Sequence, residues 1–107
     1  MKPKRIQRRR AKGWRMPANT VNVTRPGKWG NPFVVGKFGT TEECIDAFVN
    51  LMNGMICASD SVTIEAQKKT YETIRDHIEE LRGHNLACFC REGQPCHGDI
   101  LLKIANA

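Results

Sequence analysis

Two short extended segments, "NTVNVTR" at 19–25 and "NLACFC" at 85–90, flank a long stretch whose apolar spacing is helical. Strands joined through a long helical crossover run parallel and lie side by side. That constraint makes the chain a small α/β domain with a short, mostly parallel sheet and flanking helices, in the order β–loop–α–α–β–α. In the first segment Val21 and Val23 fall on one face of the strand. Thr40 or Thr41 then caps a helix whose first turn carries Glu42 and Glu43, where the helix dipole favours them. Its apolar residues recur at Cys44, Ala47, Phe48, Leu51, Met52 and Met55, and it breaks near Gly54. A second helix is expected from about Ser61 or Thr63 to Leu81, with Ile64, Tyr71, Ile74, Ile78 and Leu81 in one stripe. Arg82-Gly83 closes it. A last helix starts around Cys96 or His97 and turns Ile100, Leu101 and Ile104 inward.

A chain of 107 residues closes one modest core, and 40% hydrophobic with 26% charged residues is ordinary globular composition. No apolar run approaches the roughly 18 residues that a bilayer span requires. The basic start "MKPKRIQRRR" is followed by "AKGWRMPANT", where a signal peptide would carry an apolar segment. A soluble, cytoplasmic protein with no membrane partner is the expectation. The five cysteines, an odd number, speak for reduced thiols rather than a disulfide framework. The net charge of +6 is concentrated at the amino terminus. Residues 1–12 read as a flexible basic arm on a single α/β domain spanning 13–107. Arg5, Arg8, Arg9, Arg10 and Lys12 are its candidate contacts to a polyanion.

In open α/β sheets, ligands gather beyond the carboxyl ends of the strands. Two unusual segments are expected there, "RPGKWGNPF" after the first strand and "CREGQPCHG" after the later one. The first offers Arg25 and Lys28 as cations, Trp29 and Phe33 as flat platforms, and glycines that let backbone approach a ligand. Upstream, "KGWRMP" repeats the combination with Trp14 and Arg15. Trp14, Arg15, Arg25, Lys28, Trp29, Gly30, Asn31 and Phe33 are therefore the candidate ligand-binding residues. Trp29 would stack, Arg15, Arg25 and Lys28 would neutralise phosphate, and Asn31 would bond a base or sugar. The plainer alternative has both tryptophans capping a small core.

The second segment admits four readings. Cys88, Cys90, Cys96 and His97 are zinc-type ligands, although Cys-x-Cys and an adjacent Cys-His are unusual spacings for a closed site. The start of the last helix can bind an anion through its unpaired N–H groups. The same position can activate Cys96 as a nucleophile, with His97 beside it and Glu92 or Asp99 as the nearby carboxylates. In the fourth reading the cysteines are simply small core residues.

"GWRMP", "RPGKWGNPF" and "LRGHNLACFC…PCHGDILL" together resemble a small domain-of-unknown-function family frequent in phage and bacterial genomes. The resemblance covers roughly residues 5–105. Its motif positions fall here on Trp14, Arg15, Arg25, Pro26, Trp29, Gly30, Asn31, Pro32, Phe33, Cys88, Cys90, Cys96 and His97. It implies a cytosolic, phage-type setting in a bacterial host and no particular reaction.

The functional expectation is a domain that binds a phosphate-bearing ligand, a nucleotide or nucleic acid, between the Arg25–Phe33 loop and the Cys96-His97 helix start. That reading requires no cofactor, and zinc enters only if the cysteine–histidine set ligates. One alternative is an enzyme of nucleotide or nucleoside metabolism with His97 and Cys96 as catalytic residues. The other is a phage accessory protein that inhibits a host protein through its basic arm.

Overall fold

The computed structural model describes residues 3–24, 27–91 and 93–107. Strands β1 (Arg5–Gln7), β2 (Thr20–Asn22) and β3 (Asn85–Cys88) form a three-stranded parallel sheet in the order β1-β3-β2. Helix α3 (His97–Ala105) packs on the sheet, and α1 (Thr41–Met52) packs on α3 and on α2 (Ile64–His77). The sheet and helices are consistent with the expected α/β class, and β2 and β3 are the adjacent parallel pair read from the sequence. Val21 lies opposite Leu86, and Ile6 opposite Ala87.

β1 is the departure. Residues 5–7 were expected to belong to a flexible arm, but they form an edge strand on β3. "RIQ" has a single apolar residue and therefore no period-two signal. What fixes it is a long-range ladder: Leu86 N donates to Lys4 O at 3.0 Å and Arg8 N to Cys88 O at 2.6 Å.

α1 forms where the capping chemistry says it should. The Thr40 side chain accepts from Glu43 N at 3.2 Å, and Glu43 Oε1 accepts from Thr40 N at 3.0 Å. This capping box satisfies two otherwise orphaned donors, and its hydrogen bonds hold the Glu43 carboxylate below its ordinary pKa. Thr40→Ala is expected to lower stability by about 1 kcal/mol, read as a smaller urea midpoint at unchanged slope. Cys44, Phe48 and Leu51, spaced four and three apart, are buried.

α2 begins at the Thr63 cap, as read, but its final turn tightens into a 3-10 turn over Ile78–Leu81. Ile74 and Leu81 reach the core, whereas Ile64 is 54% exposed and does not join the stripe. Buried Gln67 was not singled out in the sequence. Its amide donates to Cys57 O and Val62 O and accepts from Cys57 N, which fastens the loop before α2. In α3, Leu101 and Ala105 face inward while Ile104 lies 37% exposed. Among the described residues, no helix is long and apolar enough to cross a membrane.

Candidate functional site

The carboxyl ends of β2 and β3 open onto a cavity of about 290 Å³. Asn31, Phe33 and Val35 form one wall and Thr41, Cys44 and Ile45 of α1 a second. Cys88, Phe89, Cys90, Pro95, Cys96 and His97 complete it, with Arg10 and Thr24 at the edge. Residues from the glycine- and proline-rich loop and from the cysteine segment thus meet at one sheet edge.

His97 holds this junction together. Its Nε2 lies 2.9 Å from Val23 O and 3.1 Å from Trp29 O. Both partners are carbonyl oxygens, so Nε2 carries the proton and donates. Nδ1 is left facing Cys96 Sγ at 3.9 Å. The ring stands edge-on to Phe48, 5.5 Å between centroids. One imidazole therefore ties the start of α3 to the end of β2, to the following loop and to α1.

The sulfurs of Cys88, Cys90 and Cys96 lie within 4.8 Å of one another, and this group can hold a metal ion. Cys88 and Cys96 approach to 3.1 Å, too far for a disulfide bond of about 2.05 Å, and both are free thiols. Cys96 is the N-cap of α3, and its sulfur accepts from Gly98 N at 3.4 Å. The thiol of Cys96 is drawn well below its ordinary pKa, first by the hydrogen bond from Cys88 and then by His97, Gly98 and Arg5. Cys88 moves up through the same shared bond, and burial pushes Cys90 up. The Gly98 N–H at this helix terminus is thus engaged by the chain's own sulfur.

Arg5 closes the group from the β1 side. Its Nη2 donates to Arg91 O at 2.9 Å, and its Nε lies 3.4 Å from Asp99 Oδ1. Nη1 is buried and has no hydrogen-bond partner. Burial works against the guanidinium charge, but Cys96 and Asp99 outweigh it and the pKa rises. Burial raises the Asp99 pKa, with Arg5 opposing.

Other expected site residues are placed differently. Trp29 is buried in the core at 4% exposure, so its ring offers no open stacking face. Lys28 pairs with Glu80 Oε1 at 2.9 Å and lies over the Trp29 ring. Asn31 is buried in loop bonding: Oδ1 accepts from Phe33 N and Nδ2 donates to Cys44 O. Phe33 is buried against Phe38 in the cavity wall. Trp14 and Gly30 are half-buried and Arg15 is exposed, and none of them lines the cavity. Arg25 and Glu92 lie outside the described residues.

Of the basic residues, Arg9 and Lys12 are exposed. Arg8 and Arg10 both stack on Phe89, each 4.6 Å from its ring centroid. Arg8 also donates to Asn22 Oδ1 and Thr24 Oγ1. Phe89, Thr24 and Cys44 were not read as site residues. Only Phe89 carried a signal, an aromatic between two cysteines in a segment read as a strand, although β3 ends at Cys88.

Residues 6–107 match the family described as Domain of unknown function (DUF4326). An uncharacterized 12.4 kDa protein from the nrdA-td intergenic region of Enterobacteria phage T4 is 37% identical over 87 residues. That alignment covers 80% of this chain and 67% of the phage protein. No solved structure matches.

Proposed function

For this chain, which belongs to the DUF4326 family, we propose that the cavity at the carboxyl ends of β2 and β3 binds a phosphate-bearing ligand of mononucleotide size. The observation that carries this reading is the cavity itself, built from segments far apart in sequence and edged by Arg10. Its volume of about 290 Å³ lies just below the roughly 300–1,000 Å³ range of ligand pockets. A mononucleotide suits it better than a polymer. Phe33, Val35 and Ile45 give the flat part of the ligand an apolar slot, and the Thr24 and Thr41 hydroxyls supply polar contacts. Phosphate falls to Arg10, whose planar fork suits an oxyanion. Lys28 pairs with Glu80 and is not among the residues lining the cavity.

The test is a titration with mononucleotides and short oligonucleotides at two salt concentrations. Arg10→Ala is expected to weaken mononucleotide binding roughly tenfold, the magnitude of one charge-assisted hydrogen bond. Absence of saturable binding at low salt would sink the proposal.

A second reading rests on the sulfur group: zinc held by Cys88, Cys90 and Cys96, with His97 Nδ1 as the fourth ligand. Thiolate and imidazole are the zinc donors of closed sites. A metal-bound histidine normally donates its other N–H to a carbonyl or carboxylate, as Nε2 of His97 does to Val23 and Trp29. Sulfurs about 2.3 Å from one tetrahedral zinc sit roughly 3.8 Å apart. Cys88 and Cys96 must then move apart slightly from 3.1 Å on metal uptake.

A further inference from the structure

Arg5 does more than the ion pair with Asp99 explains. Its side chain is 10% exposed, and Asp99 beside it is 48% exposed. Two of its three nitrogens are engaged, while Nη1 is enclosed with no oxygen or nitrogen to bond. A buried N–H group without an acceptor is costly, and native folds rarely keep one without a role. A Cβ placed on Gly98 would lie 3.5 Å from Cys96 Sγ and 3.7 Å from Arg5 Cδ, so the Arg5 side chain runs alongside the sulfur group. Asp99 and the backbone of Arg91 hold the other edge of the fork and fix its direction.

Resting on the zinc reading, we propose that Arg5 is the positioning cation of a metal–thiolate centre, its Nη1 N–H groups bonding the metal-bound sulfurs of Cys96 and Cys88. Three thiolates on a divalent cation leave one net negative charge in a half-enclosed site. A neutral His97 does not change that balance, and the single charge of Arg5 offsets it. Arginine suits the position because its charge persists under all ordinary conditions and its fork is rigid. N–H groups directed at metal-bound ligands orient them and tune the metal, as outer partners generally do. Metal-bound sulfurs are thiolates, acceptors that suit an otherwise unpaired N–H group. β1 is thereby part of the centre. The strand that brings Arg5 in is fastened to the metal through this one side chain.

The experiment compares wild type, Arg5→Gln and Arg5→Lys, each purified without an affinity tag and checked for folding by circular dichroism. Zinc affinity is measured by competition with a chromophoric chelator, and cobalt(II) serves as a spectroscopic substitute. Wild type should bind one zinc per chain. Arg5→Gln should bind roughly 10- to 100-fold more weakly, the range for losing an outer partner. Its sulfur-to-cobalt charge-transfer band should move to lower energy, because the sulfurs lose the positive charge and N–H groups that stabilise their lone pairs. Arg5→Lys should recover most of the affinity and part of the band shift. Equal zinc affinity and an unchanged band in a folded Arg5→Gln protein would overturn the role of Arg5 while leaving the zinc reading intact. A wild-type protein that takes up neither metal would overturn both. If Arg5→Gln does not fold, Arg5→Lys decides: a wild-type band energy despite the altered donor geometry counts against the proposal.

Discussion

Cys96→Ser is expected to abolish tight zinc binding while leaving the fold in place. Serine and cysteine differ little in shape, and serine is among the best N-cap residues. Its hydroxyl can accept from Gly98 N as the sulfur does at 3.4 Å. Helix α3 therefore keeps its cap and the sheet edge stays closed. The soft, easily ionised ligand is lost. A closed zinc site contributes about 10–16 kcal/mol of binding over four ligands, so removing one should weaken affinity at least about 100-fold. Chelator competition measures this, and the urea midpoint of the metal-free protein reports the fold. Wild-type affinity in Cys96→Ser would show that the three sulfurs are not the ligand set. Cys96→Ala should lose the metal and, through the lost cap, a further 0.5–2 kcal/mol or so of stability.

The largest effect on stability is expected from Phe48→Ala. Phe48 is fully buried in the hydrophobic core. Truncating such a ring removes about 3–5 kcal/mol through lost transfer energy and the cavity left behind. A domain of this size has about 5–15 kcal/mol in total, so at least about a fifth of the stability is at stake. The damage has a direction, because Phe48 stands edge-on to His97. His97 in turn bonds Val23 O and Trp29 O. Loss of the ring lets the imidazole tilt and loosens the junction of β2, the loop and α3. Urea unfolding should show a much lower midpoint, and amide exchange should accelerate first around Val23 and Trp29. Ile104→Ala, at a position 37% exposed, serves as the comparison and should change little. A Phe48→Ala protein as stable as the wild type would mean that this core is not organised around the ring.

The parallel β2–β3 pair was legible because a helical crossover permits little else, and the α1 start because Thr40 and Glu43 stand at capping-box spacing. The meeting of the 31–33 loop with the 88–97 segment followed from the same topology. β1 was not legible: three residues with one apolar side chain carry no periodicity, and their order comes from β3, eighty residues away. Trp29 misled for a related reason. Next to Lys28 and two glycines it reads as an exposed platform, but sequence adjacency in a loop does not say which side chain turns inward. Lys28 turned out to Glu80 and Trp29 turned in. At the start of α3, where the sequence suggested an anion, Gly98 N donates to the Cys96 sulfur. That outcome depends on a rotamer, which no motif encodes.

The strand order β1-β3-β2 also sets a schedule for synthesis. Among the described residues β1 and β2 pair with β3 and not with each other, so these two strands have no ladder partner until residues 85–88 have been made. Pairings of such high sequence separation form slowly, and unpaired strands invite association with other chains. Nascent chains shorter than about 90 residues thus expose the edges that the finished protein hides. The strand that completes the sheet also delivers Cys88, the first sulfur of the group that can hold a metal ion, so sheet and sulfur group take shape from one segment.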